Sequence, residues 1–169
     1  LNDYISNEKK LKVLVDVREK GSILSKKLVE SGMDVKVQTL ATADIIVSDK
    51  IGIERKTVPD FVNSIIDKRI FTQLRDLKNN FENPLIILEG EEDLYSVRNI
   101  HPNAIRGMLA TIVSSFKIPI LRTKDSLDTV ELIRAIAKRE QTQEEKDIAT
   151  RVKTPMTTRE QQEFIIESL

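Results

Sequence analysis

The apolar and polar positions of this chain predict alternating strands and helices. Residues 12–17 (KVLVDV) are a short β-branched run stopped by Arg18-Glu19-Lys20-Gly21, the pattern of a strand buried on both faces. Residues 22–31 carry Ile23, Leu24, Leu28 and Val29 at helical spacing and run into Gly32, a C′-type residue. Residues 34–40 (DVKVQTL) alternate as a half-buried strand does, so the opening is a βαβ-like unit. Ile45-Ile46-Val47 and residues 51–56 flank polar Ser48-Asp49-Lys50, which predicts a β-hairpin with no glycine in its loop. Thr57-Val58-Pro59-Asp60 opens a helix with Thr57 as N-cap and Asp60 at N3.

A second helix is predicted over Arg69–Asn80, with Ile70, Leu74, Leu77 and Phe81 on one face. Residues 84–89 (PLIILE) read as a buried strand ending in an acid before Gly90. A helix over 102–116, a strand over 118–122 and a helix over 126–139 follow. Ile105, Met108, Leu109, Ile112, Val113 and Phe116 form one core-type stripe, and Leu127, Val130, Ile133 and Ile136 another. Opposite the first stripe lie Gly107, Ala110, Thr111 and Ser114, small enough for close approach of another helix. Little charge on these second faces points to a subunit interface, with packing inside one chain as the competing reading.

Beyond Lys138 the pattern fades. Residues 141–156 are read as a charged linker or helix extension, leaving 1–140 as the main domain. Thr157-Thr158-Arg159-Glu160 is a capping box, and Phe164, Ile165 and Leu169 begin an apolar face. Residues 157–169 therefore read as the start of a truncated further domain. The chain begins at Leu1 without a signal-peptide pattern, which reads as a segment of a longer protein.

Composition narrows the chemistry. The 169 residues include 27 Lys plus Arg against 27 Asp plus Glu, one His and no Cys. A disulfide framework, a thiol nucleophile and a Cys- or multi-His-ligated metal are excluded. Any metal would be held by carboxylates, which selects Mg²⁺ or Mn²⁺. Apolar runs of four or five residues do not span a membrane. Zero net charge means no overall positive field to draw in DNA. His101, before Pro102 at a helix start, is assigned no catalytic role.

The chemistry concentrates in residues 44–60. Glu54 and Lys56 are i and i+2 on a strand and share a face, whereas Arg55 points to the other. With Ser48-Asp49-Lys50 as the hairpin loop, Val47 pairs with Ile51 and Asp44 lies opposite Glu54. Facing carboxylates repel unless a divalent cation lies between them, with Lys56 alongside. Asp16 and Glu19 add acids at the end of the first strand, where open α/β sheets gather their ligands. Arg55 is expected to act indirectly, by fixing Asp60 or a nearby acid or by lending its carbonyl. Asp60 has two readings, a site residue and a carboxylate bonded to the free amides of a helix start. Arg69 begins a helix, where the macrodipole disfavours a cation, and this hints at a phosphate contact.

VDVRE at residues 15–19 and IERKTVPDF at 53–61 resemble the XPF/Hef family of structure-specific DNA endonucleases, most closely its archaeal Hef-type members. That family carries V-D-x-R-E and G-D-x(n)-E-R-K-x(3)-D, onto which Asp44, Glu54, Arg55, Lys56 and Asp60 fall. The family's motif glycine is Ala43 here, which bears on the backbone before Asp44. The similarity continues through Ser64-Ile65-Ile66-Asp67-Lys68-Arg69 to Gln73, and implies DNA contacts from Lys68, Arg69 and Gln73. It implies a restriction-endonuclease-like α/β fold, a central sheet flanked by helices. Asp44, Glu54, Arg55, Lys56, Asp16 and Asp60 would be catalytic, and Glu19, Asp44 and Glu54 would hold Mg²⁺ or Mn²⁺. It also implies branched or forked DNA as substrate, a homodimer, a preceding helicase and a following helix-hairpin-helix domain. The implied location is the nucleoid-associated cytoplasm, or the nucleus in a eukaryote. Two rivals are a non-catalytic dimerisation subunit, disfavoured by the intact acids, and a plain DNA-binding module, disfavoured by balanced charge and few aromatics.

Overall fold

The computed structural model describes residues 9–153, so the expected domain start at 157–169 lies outside the described residues. Among the described residues, the strands β1 (Lys12–Asp16), β2 (Asp34–Gln38), β3 (Ile45–Ile46), β4 (Gly52–Thr57), β5 (Leu85–Glu89) and β6 (Ile120–Thr123) form one sheet. Their order is β2-β1-β3-β4-β5-β6. Of these, β3 runs antiparallel to its neighbours and the rest are parallel. The carboxyl ends of β1, β2, β4, β5 and β6 therefore meet the amino end of β3 at one edge of the sheet.

The helices are α1 (Ile23–Glu30), α2 (Val58–Ile66), α3 (Arg69–Asn80), α4 (Pro102–Thr111) and α5 (Ser126–Lys153). On one face, Val13, Val15, Ile45, Ile53 and Ile87 pack against Leu24 and Leu28 of α1 and Val130, Ile133 and Ala137 of α5. On the other, Ile86 and Leu88 pack against Phe61, Ile70, Leu74, Ile105 and Ile112. Each buried Val, Leu, Ile or Phe side chain among these contributes about 1.5–3 kcal/mol relative to exposure. The alternation of β4 thus sends Ile53 to the first layer and its neighbours Gly52 and Glu54 towards the second. Gly52 is required there by contact, because a Cβ would lie 2.3 Å from the Phe81 ring that ends α3.

The hairpin closes as its sequence predicts, with the Val47 N–H donating to the Ile51 carbonyl at 3.2 Å. Ser48 supplies what glycine would otherwise provide. Its Oγ accepts from the N–H groups of Lys50 and Ile51, so a side chain holds the turn. Thr57 is the N-cap of α2, accepting from the Asp60 N–H, and Asp60 is at N3. Ser22 caps α1, and Gly32 follows its end at φ +84°.

Several expectations change. Only Val35 of β2 is shielded even partly on its own strand, because β2 is an edge strand. The helix over 102–116 is α-helical only to Thr111, and Ile112–Phe116 is a π-helical turn. Val113 and Leu127, placed in core stripes by periodicity, are 58% and 56% exposed. The π turn shifts the register at Val113, and Leu127 occupies the first turn of α5, where the sheet has ended. The last helix does not stop at residue 139; α5 continues through the charged segment to Lys153, braced where Gln141 bonds Lys12 and Val47. No helix among the described residues is long and apolar enough to cross a membrane.

Candidate active site

The site grows from strand register. β1 pairs Leu14 with Ile46 and Val15 with Ile45, and β3 pairs Ile45 with Ile53 and Ile46 with Gly52. One more step along both ladders sets Asp16 beside Asp44 and Asp44 beside Glu54. The Asp16 N–H donates to the Asp44 carbonyl, and the Asp44 N–H donates to that of Ile53, both at 2.9 Å. Beyond that point a side chain replaces the ladder, since Asp44 Oδ2 accepts from the Arg55 N–H at 2.9 Å. Ala43 precedes this turn at φ +69°, in the left-handed region, where an L side chain costs about 1–2 kcal/mol. The glycine expected there by family resemblance is thus explained by backbone conformation.

Asp44 is under electrostatic stress. Burial, then the neighbouring charges of Glu54 and Glu19, push its carboxyl up to about 7, against relief from the Arg55 N–H and Lys56. Lys56, 8% exposed, places Nζ 3.2 Å from Glu54 Oε1, so the expected i, i+2 pair shares one face. Glu19 ends the 3₁₀ turn Val17–Glu19 that follows β1. Among the described residues, no three acidic or histidine side chains close into a metal-holding group. Asp44 and Glu54 face each other across the β3–β4 ladder, and the charge of Glu19 also raises Asp44, by less. Oxygen donors with unrelieved negative charge fit a hard divalent cation in kind.

Asp16 has a different environment. Its buried carboxylate accepts from the Arg18 N–H at 2.9 Å, from Arg18 Nε at 2.6 Å and from the Leu40 N–H at 2.8 Å. The Arg18 side chain is the main reason its carboxyl is held down to about 2. Asp16 therefore organises the β1 end and aims Arg18, which is not among the expected site residues. Arg18 is largely exposed and feels the charges of Asp44 and Glu54. The V-D-x-R-E run contains it, but nothing in spacing alone separates it from a solvated arginine.

Arg55 does leave the Glu54 side of β4, as alternation requires, and the acid it fixes is Glu89 rather than Asp60. Its Nε donates to Glu89 Oε2 at 2.9 Å and its Nη2 to Oε1, a two-pronged pair. Thr129 Oγ1 donates to Glu89 Oε2 at 2.6 Å. Burial would raise Glu89, but Arg55 and Thr129 outweigh it and hold the carboxyl below its usual range. Glu89 also goes beyond the expected set. Its signal was an acid closing an otherwise apolar buried strand.

The remaining candidates lie on the α2–α3 side. Asp60 is exposed at the start of α2. Lys68 adopts φ +59° between α2 and α3. Arg69 pairs with Asp67 at 3.3 Å on the surface, which offsets its unfavourable place at a helix start. Among the described residues, Gln73 Oε1 is the buried side-chain atom with no hydrogen-bond partner.

The family model for the ERCC4 domain matches residues 15–136, from the end of β1 into the packed part of α5. A Methanocaldococcus jannaschii protein named as an ATP-dependent RNA helicase, MJ1505, is 44% identical over 96% of this chain but only 20% of its own length. The 3′-flap repair endonuclease Xpf of Saccharolobus solfataricus is 33% identical over 80% of this chain and 58% of its own. The chain thus spans a fifth and somewhat over half of these two relatives. In three dimensions it is similar to XPF from Aeropyrum pernix in complex with DNA, at TM-score 0.71 and 29% identity over 94% of this chain and 74% of that one. The matching sheet and helices bear out the restriction-endonuclease-like α/β expectation, and this chain belongs to the ERCC4 domain family.

Proposed function

We propose that the chain is the nuclease part of a structure-specific DNA endonuclease. It hydrolyses a phosphodiester in one strand of branched, flapped or forked duplex DNA. The observation that carries this reading is the strand register that sets Asp44, Glu54 and Lys56 together at the carboxyl edge of the sheet. Asp44 and Glu54, with Glu19 nearby, would hold Mg²⁺ or Mn²⁺, which would supply charge neutralisation at the scissile phosphate. Lys56 orients the attacking water and donates to a non-bridging phosphate oxygen as charge builds there. Arg18, aimed by Asp16, offers a second cation to the phosphate. Lys68, Arg69 and Gln73 extend the surface along the DNA, and Asp60 in the first turn of α2 belongs to the same site. Attack in line leaves a 5′-phosphate and a 3′-hydroxyl.

The chain works as a homodimer in this reading. Gly107 and Ala110 of α4 and Ser114 of the following π turn are exposed, and Val113 and Leu127 add apolar surface at 58% and 56% exposure. In the full protein a helicase precedes this part and a helix-hairpin-helix domain follows it, and the zero net charge assigns much of the DNA affinity to those regions. The test is cleavage of an end-labelled fork and a matching linear duplex with and without Mn²⁺. Metal-dependent cutting of the fork in preference to the duplex is expected; no cutting of either at any metal concentration would overturn the reading.

A further inference from the structure

Glu89 is the last residue of β5, every residue of which is buried, and its side chain is only 10% exposed. An ionised carboxylate in such a place must be fully engaged to persist. Its partners come from two other elements, and a third supports one of them. Arg55 of β4 grips it with two nitrogens, and Thr129 of α5 donates to it at 2.6 Å. Thr123 of β6 lies 2.7 Å from Thr129 Oγ1. With the Thr129 proton on its shorter contact, the carboxylate at 2.6 Å rather than the Asp125 carbonyl at 3.0 Å, Thr123 is the donor to Thr129, and these hydrogen bonds run in one direction from β6 through α5 to β5. That series ends at Glu89, which Arg55 meets from the other side, and the Arg55 N–H in turn donates to Asp44 Oδ2 at 2.9 Å. Arg55 also separates Glu54 from Lys56 in sequence.

We propose that Glu89 is a positioning residue for hydrolysis. Together with Thr129 and Thr123 it clamps the Arg55 guanidinium on the back of the sheet. The clamp fixes the short stretch of β4 backbone that orients Asp44, Glu54 and Lys56 on the front. This rests on the nuclease reading above. Neither Glu89 nor Thr129 faces the substrate; both act through Arg55. The device suits a site whose front face carries repelling charges, because the strand needs anchoring from the side where charge is satisfied.

The experiment compares wild type, Glu89→Gln, Thr129→Val and Thr129→Ser in the full chain. Glu89→Gln keeps shape and one acceptor oxygen but removes the charge opposite Arg55. Its kcat on a fork should fall at least about tenfold with KM within about twofold of wild type. Hydrogen exchange at the Arg55 amide should quicken at least about tenfold, while Leu24 and Leu28 of α1 exchange as in wild type. Thr129→Val should move both readouts the same way by less, and Thr129→Ser, which restores the hydroxyl, should return them to wild type. An unchanged Arg55 amide in Glu89→Gln, or equal quickening in α1, would overturn the clamp. Should wild type itself fail to cut, the nuclease reading falls, and the exchange measurement still decides the clamp.

Discussion

On the front of β4, Glu54 and Lys56 share a face with Asp44, whose carboxyl is pushed up to about 7 by burial and neighbouring acids. On its back, Arg55 is gripped by Glu89, and Glu89 is held below its usual range in spite of its burial. The two sides are one residue apart and equally part of the sheet's carboxyl edge. They differ in whether the protein itself completes the charge pairing. The back is finished by β5, β6 and α5, and it stabilises the fold. The front is left short of positive charge, a state that a cation and a phosphate would complete. Strand alternation lets one segment be rigid and unsatisfied at once.

Substitutions on the two sides should therefore have opposite signatures. The largest effect is on catalysis at the front. Asp44→Asn or Glu54→Gln should lower fork cleavage by about a thousandfold or more, equivalent to roughly 4 kcal/mol in the barrier, with circular dichroism unchanged. Substantial cutting by either purified variant at saturating Mn²⁺ would remove these residues from the site.

Next is stability at the back. Arg55→Ala leaves Glu89 buried without its main partner and should cost about 3–5 kcal/mol in urea unfolding. Loss of less than about 1 kcal/mol would mean that the pair is not anchoring β4.

The front should respond in the other direction. Asp44 in the folded state binds its proton more tightly than in the unfolded chain, where the ordinary value is 3.8. The Asp44 contribution to metal-free stability is then fully present below about pH 4 and is lost as pH rises through about 7, because the folded state must release a proton it would rather keep. Asp44→Asn abolishes this slope, so in EDTA it should melt several degrees above wild type at pH 8 and much closer to it at pH 4. Parallel melting curves at both pH values would show that the repulsion does not reach stability.

The smallest effect concerns the turn that feeds the front. Ala43→Gly relieves the φ of +69° but gives up a methyl that is 97% buried, since Ala43 is 3% exposed. The balance should be a gain under about 1 kcal/mol, read from the same urea curves. A loss greater than that would show that packing of the methyl outweighs the backbone cost.

Local rules specified the elements that depend on neighbours a few residues apart. Alternation separated Arg55 from Glu54 and Lys56, and the three-residue polar break set the hairpin count that brought Asp44 to Glu54. Thr57 and Asp60 announced the start of α2. These follow from covalent geometry and from caps within a few residues, so they are written locally. Periodicity failed where tertiary packing intervened: Val113 and Leu127 fit core stripes, yet a π turn and the limit of the sheet leave them outside. Folding of distant elements was needed to bring Arg55 to Glu89, 34 positions away, and Thr129, a further 40 along, to the pair. It also chose the donors that Asp16, expected as a catalytic residue, would hold: Arg18 and the Leu40 N–H. A carboxylate's role depends on which donors reach it, and those donors arrive from strands and helices whose order in the sheet no local pattern records.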